Sequence, residues 1–155
     1  MSIHHISWQT TVSGIEDEGI FQDALTWLSG SDEFVNIERT TSYHGSNIHI
    51  AKVEISKKSQ ATKSLARLGS AALQELLFNL EGRIDDDNCI YIRLDLDSLL
   101  AGEINISEPN KGRTVKGKAK LELYPGDERH ESAIKTIENA IQLSNDLGLP
   151  ENPWN

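Results

Sequence analysis

From His4 to Val12 the chain reads HHISWQTTV, a stretch in which Ile6, Trp8 and Val12 fall on one side of an extended strand and His5, Ser7, Gln9 and Thr11 on the other. SGIE follows, with Ser13 placed as a helix N-cap and Glu16 three residues on, a capping-box pattern. Ile20, Phe21, Ala24, Leu25 and Leu28 then recur at helical spacing until Gly30 stops the run. Residues 34–41 and 48–56 read as two strands around the turn-rich SYHGSN. From Ser59 to about Leu80 the sequence carries Leu65, Leu68, Ala72, Leu73, Leu76, Leu77 and Leu80, the strongest helical stripe in the chain. Ile90, Ile92, Leu94 and Leu96 alternate with Tyr91, Arg93 and Asp95 as a fourth strand, and a fifth runs from about Thr114 to Leu123. A last helix carries Ile134, Ile137, Ala140 and Ile141.

The order β-α-β-β-α-β-β-α, with most strands joined by short turns, predicts an α+β two-layer sandwich. Its five-stranded sheet is mainly antiparallel and has the helices packed on one face. With 155 residues, no internal repeat and no linker, residues 1–147 are expected to form a single domain, followed by a tail over 148–155.

Composition narrows the class. The longest apolar stretches are a few residues, far short of the roughly 20 that span a bilayer, and MSIHHISW is not a secretory signal. Cys89 is the only cysteine, which excludes an internal disulfide framework and multi-cysteine zinc motifs. A soluble, cytoplasmic protein without membrane contact is expected. The net charge of −9 has the wrong sign for coating nucleic acid, but it is unevenly spread. KGRTVKGKAK, residues 111–120, carries five positive charges and no negative one, and a looser group comprises Lys52, Lys57, Lys58, Lys63 and Arg67.

In the fifth strand Lys116, Lys118 and Lys120 have period two and project from one face, while Val115, Ala119, Leu121 and Leu123 take the other. If the strands pair in this way, Tyr91 and Arg93 join the lysines on the open face, with His5 and Gln9 from the first strand. Cations for phosphates and a ring for an unpaired base suit a nucleic-acid surface. The candidate RNA-binding set is therefore Arg93, Lys116, Lys118, Lys120, Tyr91 and His5, with Lys111 and Arg113 from the same basic segment. A sheet with one wet face needs polar residues there in any case, and lysines also guard edge strands, so the pattern leaves both readings open.

RIDDDNCIYIRLD poses a separate question. Consecutive Asp85, Asp86 and Asp87 point different ways, and Ile90 and Ile92 occupy positions where an EF-hand loop needs polar residues and a glycine. A turn that ends a helix and starts a strand accounts for them. His4 and His5 are adjacent on a strand and should point to opposite sides; no metal, cofactor or catalytic residue is nominated. Cys89, lacking a nominated base, reads as structural.

IHHISW, YHG, RIDDDNCIYIRLD followed by AGEI, and VKGKAKLELYP match, in order, an archaeal family described as predicted exosome-associated RNA-binding proteins. Arg83, Asp85, Asp87 and Cys89 fit its most specific motif, and Tyr124 and Pro125 fit its last. The second loop departs from it, with SYHGSN where the family typically has Gly-His-Tyr-Gly-Asn-Pro. The resemblance implies a fold like the ribosomal protein that grips five-S ribosomal RNA, and it implies no catalysis. The expected function is a non-catalytic RNA-binding module, its partners RNA, single-stranded or structured, together with exosome or other RNA-processing proteins. The alternative is a protein–protein interaction module without RNA contact, supported by the acidic net charge, the acidic residues Asp127, Glu128, Glu131 and Glu138, and the tail LPENPWN with Trp154.

Overall fold

Alternation along the strands places apolar side chains on the same side of one sheet, and the computed structural model of residues 2–107 and 112–149 shows how they are covered. Lys111 and the tail from Pro150 onward, with Trp154, lie outside the described residues. The strands are β1 (Ser2–Ser13), β2 (Val35–Thr41), β3 (Asn47–Ile55), β4 (Cys89–Asp95) and β5 (Thr114–Glu122). Their spatial order is β2-β3-β1-β5-β4, every pair antiparallel. The helices are α1 (Glu18–Ser29), α2 (Lys58–Ala66), α3 (Gly69–Phe78), α4 (Leu96–Leu100) and α5 (Arg129–Leu147). Ile6, Trp8 and Val12 of β1, Ala51, Val53 and Ile55 of β3, Ile90, Ile92 and Leu94 of β4, and Val115, Ala119 and Leu121 of β5 form the sheet's half of one core. Phe21, Leu25 and Leu28 of α1, Leu65 of α2, Leu73 and Leu76 of α3 and Ile137 of α5 supply the helical half. The α+β sandwich with an open antiparallel sheet is thus the observed architecture.

Trp8, fully buried on the central strand, shows how tightly the layers meet. Its indole Nε1 donates to Ser64 Oγ at 2.9 Å, and that hydroxyl donates to the Leu28 carbonyl at 2.8 Å, so one buried chain of hydrogen bonds ties β1 to α2 and α1. Gly117 lies directly opposite Trp8 in register. A Cβ there would come within 2.3 Å of the indole Cζ3, so only glycine leaves the ring its space.

Three sequence expectations are corrected. Ser13 does not cap α1, because β1 keeps pairing with β3 as far as Ser13 opposite Ile48. Asp17 caps instead, its side chain accepting from the Gly19 N–H at 2.9 Å. Glu16 still accepts from the Ser13 N–H at 3.0 Å, which makes the pair a turn before the helix. The stripe from Ser59 to Leu80 is not one helix: Gly69 takes a left-handed φ of 86°, and α2 and α3 meet at that break. Leu96 is the first residue of α4, not the last of β4, because Asp95 caps that short helix by accepting from the Ser98 N–H at 2.9 Å. No helix among the described residues is long and apolar enough to cross a membrane.

Candidate nucleic-acid interface

Residues that face each other across antiparallel strands share a face, with Cβ atoms roughly 4.5–5.5 Å apart, so the register lays out the sheet surface opposite the helices row by row. One row runs Arg93, Lys116, Gln9, Lys52, Asn36, crossing all five strands from β4 to β2. The next is Tyr91, Lys118, Ser7, Glu54, and a third is Cys89, Lys120, His5. Along β5 the three lysines step about 6.8 Å at a time. The structure therefore brings together Arg93, Lys116, Lys118, Lys120, Tyr91 and His5.

Pairing separates these cations from most others. Lys52 meets Glu38 at 3.3 Å, Lys58 pairs with Glu122, Arg39 with Glu18 at 2.5 Å, and Lys135 with Glu131 at 3.4 Å. Among the described residues Arg93, Lys116, Lys118 and Lys120 have no carboxylate partner, although Arg93 and Lys116 stand directly opposite each other. Like charges so placed repel, a cost that an anion over the row would relieve. Among the described residues Lys57 and Lys63 on the helix side are also without an ion pair. Arg113 is not part of the open group: its guanidinium is held by Glu16 at 2.5 Å and Asp97 at 2.6 Å.

Tyr91 is 41% exposed and anchored at its rim. Its hydroxyl donates to Asp85 Oδ2 at 2.7 Å, while Lys118 Nζ lies 5.8 Å from the ring centroid. Asp85 Oδ1 accepts from the N–H groups of Asp87 and Cys89, both at 3.0 Å. The Tyr91 hydroxyl bond, followed by these backbone donors, lowers the Asp85 carboxyl below its ordinary value, and the same bond raises Tyr91. The aspartate run is thus a turn in which one member also sets the aromatic ring. Asp86 reaches Arg129 at only 3.5 Å, and Asn88 takes a left-handed φ of 64°. Cys89 opens the strand buried, with its thiol pushed up first by burial and then by Asp85.

The two histidines depart from expectation. A register shift between Ile3 and His5 is a β-bulge, and it brings the rings of His4 and His5 side by side, with their Nδ1 atoms 3.2 Å apart. Burial, then His4, Lys120 and Lys118, lower His5 below its ordinary value. Among the described residues no group of three or more His, Cys, Asp or Glu side chains could hold a metal ion.

Two features escaped the sequence reading. Lys52, near Lys57, Lys58, Lys63 and Arg67 in the sequence, lies on the open face beside Gln9; the inward set Ala51, Val53, Ile55 carries the signal for this. Beside the free edge of β4 lies a cleft of about 750 Å³, lined by Phe78, Arg83, Tyr91 and Arg93 among others. Nothing in the local sequence of α3 places Phe78 next to a strand.

Residues 5–121 match a family described as RNA binding, and the chain belongs to that family. The fold is similar to that of a DUF54 protein from Methanothermobacter thermautotrophicus, at 25% identity and a TM-score of 0.71 over 91% of this chain and 99% of that one. A DUF54 protein from Archaeglobus fulgidus is similar at 26% identity and a TM-score of 0.69, over 89% of this chain and 99% of that one. A UPF0201 protein from Methanococcus jannaschii shares the fold at 12% identity and a TM-score of 0.58, over 88% of this chain and 98% of that one. No curated protein matches the chain.

Proposed function

We propose that the protein is a non-catalytic RNA-binding module that lays RNA across the open face of its sheet, with Arg93, Lys116, Lys118 and Lys120 meeting phosphates and Tyr91 meeting a base. The observation that carries this reading is the in-register group of four cations that, among the described residues, have no carboxylate partner and no helix over them. Membership of a family described by RNA binding, rather than by a reaction, supports it. His5 lies on the same surface, and Arg113, whose guanidinium is already held by Glu16 and Asp97, and Lys111 of the same basic segment are further candidates for phosphate contact. The sequence resemblance adds that the module works beside exosome or other RNA-processing proteins, and that its sandwich is akin to the ribosomal protein that grips five-S ribosomal RNA. The test is a titration of a labelled RNA strand at two salt concentrations. Binding that weakens steeply with salt supports phosphate contacts. Failure to bind even at low salt discards the reading and leaves a protein-interaction module.

A further inference from the structure

β4 is an edge strand, and among the described residues its outer side is bridged only at its ends, Ile90 to Ile84 and Leu94 to Ile106. The cleft of about 750 Å³ opens beside the strand at Tyr91 and Arg93, between those bridges. Its size falls within the range of roughly 300–1,000 Å³ usual for small-molecule sites. Phe78, the last residue of α3, is 87% exposed at one wall, and Tyr91 is the second aromatic of the lining. Two arginines, Arg83 and Arg93, also line it, and neither has an ion pair among the described residues. The Nε of Arg83 is shielded from solvent and finds no acceptor, which is costly for a donor on a charged group. Glu81, the one carboxylate of the lining among the described residues, pairs with neither arginine.

Exposed rings beside unpaired guanidinium groups make an unusual combination on a chain with a net charge of −9. A nucleotide answers both: its base offers an apolar face for stacking and its phosphate offers bidentate acceptors for arginine. A base in a duplex has both faces occupied by its neighbours, so only an unpaired one can enter. Resting on the RNA-binding reading above, we propose that this edge cleft receives a single extruded nucleotide, its base against Phe78 and Tyr91 and its phosphate between Arg83 and Arg93, so that the protein selects single-stranded over double-stranded RNA. Arg93 belongs to both the cleft and the long cationic row, so a strand lying along the row reaches the cleft where the row ends at β4.

The probe is a 12-nucleotide single-stranded RNA with one 2-aminopurine, compared with the blunt duplex of the same sequence at one salt concentration. The wild type should prefer the single strand by at least about tenfold, and 2-aminopurine emission should change on binding as the base leaves its neighbours and stacks on protein. Phe78→Ala, at an exposed position, should weaken single-strand binding about 5- to 100-fold, with duplex binding and the salt slope unchanged. Arg83→Gln should flatten the log–log salt slope by about 0.7, one phosphate contact. Equal affinity for duplex and single strand, or wild-type single-strand binding by both variants, overturns the cleft. If replacing Lys116, Lys118 and Lys120 by glutamine then still weakens binding, the sheet face survives without it. Absence of binding to either probe at low salt sinks the cleft and the wider reading together.

Discussion

Replacing Lys116, Lys118 and Lys120 by glutamine tests the sheet face with a magnitude fixed before the measurement. All three project from β5 without a carboxylate partner among the described residues, so the substitution removes three free charges and breaks no ion pair. Glutamine keeps most of each aliphatic stem, and the inward residues Val115, Ala119 and Leu121 are untouched, so the strand keeps its place in the core. Each phosphate contact on a single strand contributes about −0.7 to the slope of log affinity against log salt. With Arg93 added, the sheet face should contribute about −2.8 to the wild-type slope and about −0.7 in the variant, apart from any contact made by Arg83 in the cleft. Over a fourfold rise in salt the missing 2.1 units correspond to roughly a 20-fold smaller loss of affinity in the variant. Fluorescence anisotropy of a labelled single strand at four salt concentrations measures this directly, with far-ultraviolet circular dichroism to show that the variant is folded. A folded variant whose slope equals that of the wild type refutes the assignment and moves the contacts elsewhere, with Lys57 at the N-cap of α2 and Lys63 within it as the next place to look.

Two predictions concern the scaffold and its titration. Gly117→Ala drives a methyl group to within 2.3 Å of the Trp8 ring and should cost about 1–3 kcal/mol in urea unfolding; an unchanged midpoint would show that the indole can move aside. His5 lies below its ordinary value of 6.5 in the folded chain, so the unfolded chain binds the proton more readily, and stability falls as pH drops from 6.5 through the folded value. Phosphates over the face should raise His5, making RNA binding take up a proton and tighten as pH falls below 6.5; an NMR titration in which bound RNA leaves the His5 ring unmoved removes it from the contact surface.

The sheet was legible because its signal is local. Period-two alternation in HHISWQTTV and CIYIRLD marks the inward residues whatever they pair with, and Lys116, Lys118 and Lys120 had to share a face once β5 was recognised. Register is different. That Lys116 faces both Arg93 and Gln9, and that Lys52 extends the same row, depends on which strands become neighbours. The sequence order of β3 and β5 hides the fact that both flank β1. A bulge is equally silent, and the one near Ile3 turned His4 and His5 toward each other when plain alternation separated them. Helix ends are hard to read wherever a second group competes for the role: Asp17 takes the cap position ahead of Ser13, and Gly69 divides a leucine stripe whose apolar spacing alone shows no break. The edge cleft was least legible of all, since Phe78, Arg83 and Tyr91 come from three separate elements.

An RNA-binding face on a chain with 24 acidic and 15 basic residues needs the acids to be remote, and many of them are. Asp23 on α1, Glu75 on α3 and Glu138 and Asp146 on α5 are exposed on the helical layer. A helix is about 10–12 Å across, so carboxylates on its outer side lie beyond the roughly 8 Å over which charge acts at physiological salt. There the RNA meets the sheet's cations and little of the acid behind them. At 0.01 M the screening length grows to about 30 Å, and the whole charge of −9 acts on the strand. The salt plot should then be linear above about 0.1 M and flatten or turn over toward 0.01 M, a departure from the straight line that counterion release alone gives. Neutralising Asp23→Asn, Glu75→Gln, Glu138→Gln and Asp146→Asn together should straighten the low-salt end and leave affinity at 0.15 M within about twofold, because those charges are already screened there. A plot that bends identically in the neutralised protein would exclude the acidic layer as the cause. A large gain in affinity at 0.15 M would mean that the RNA passes over the helices as well as the sheet.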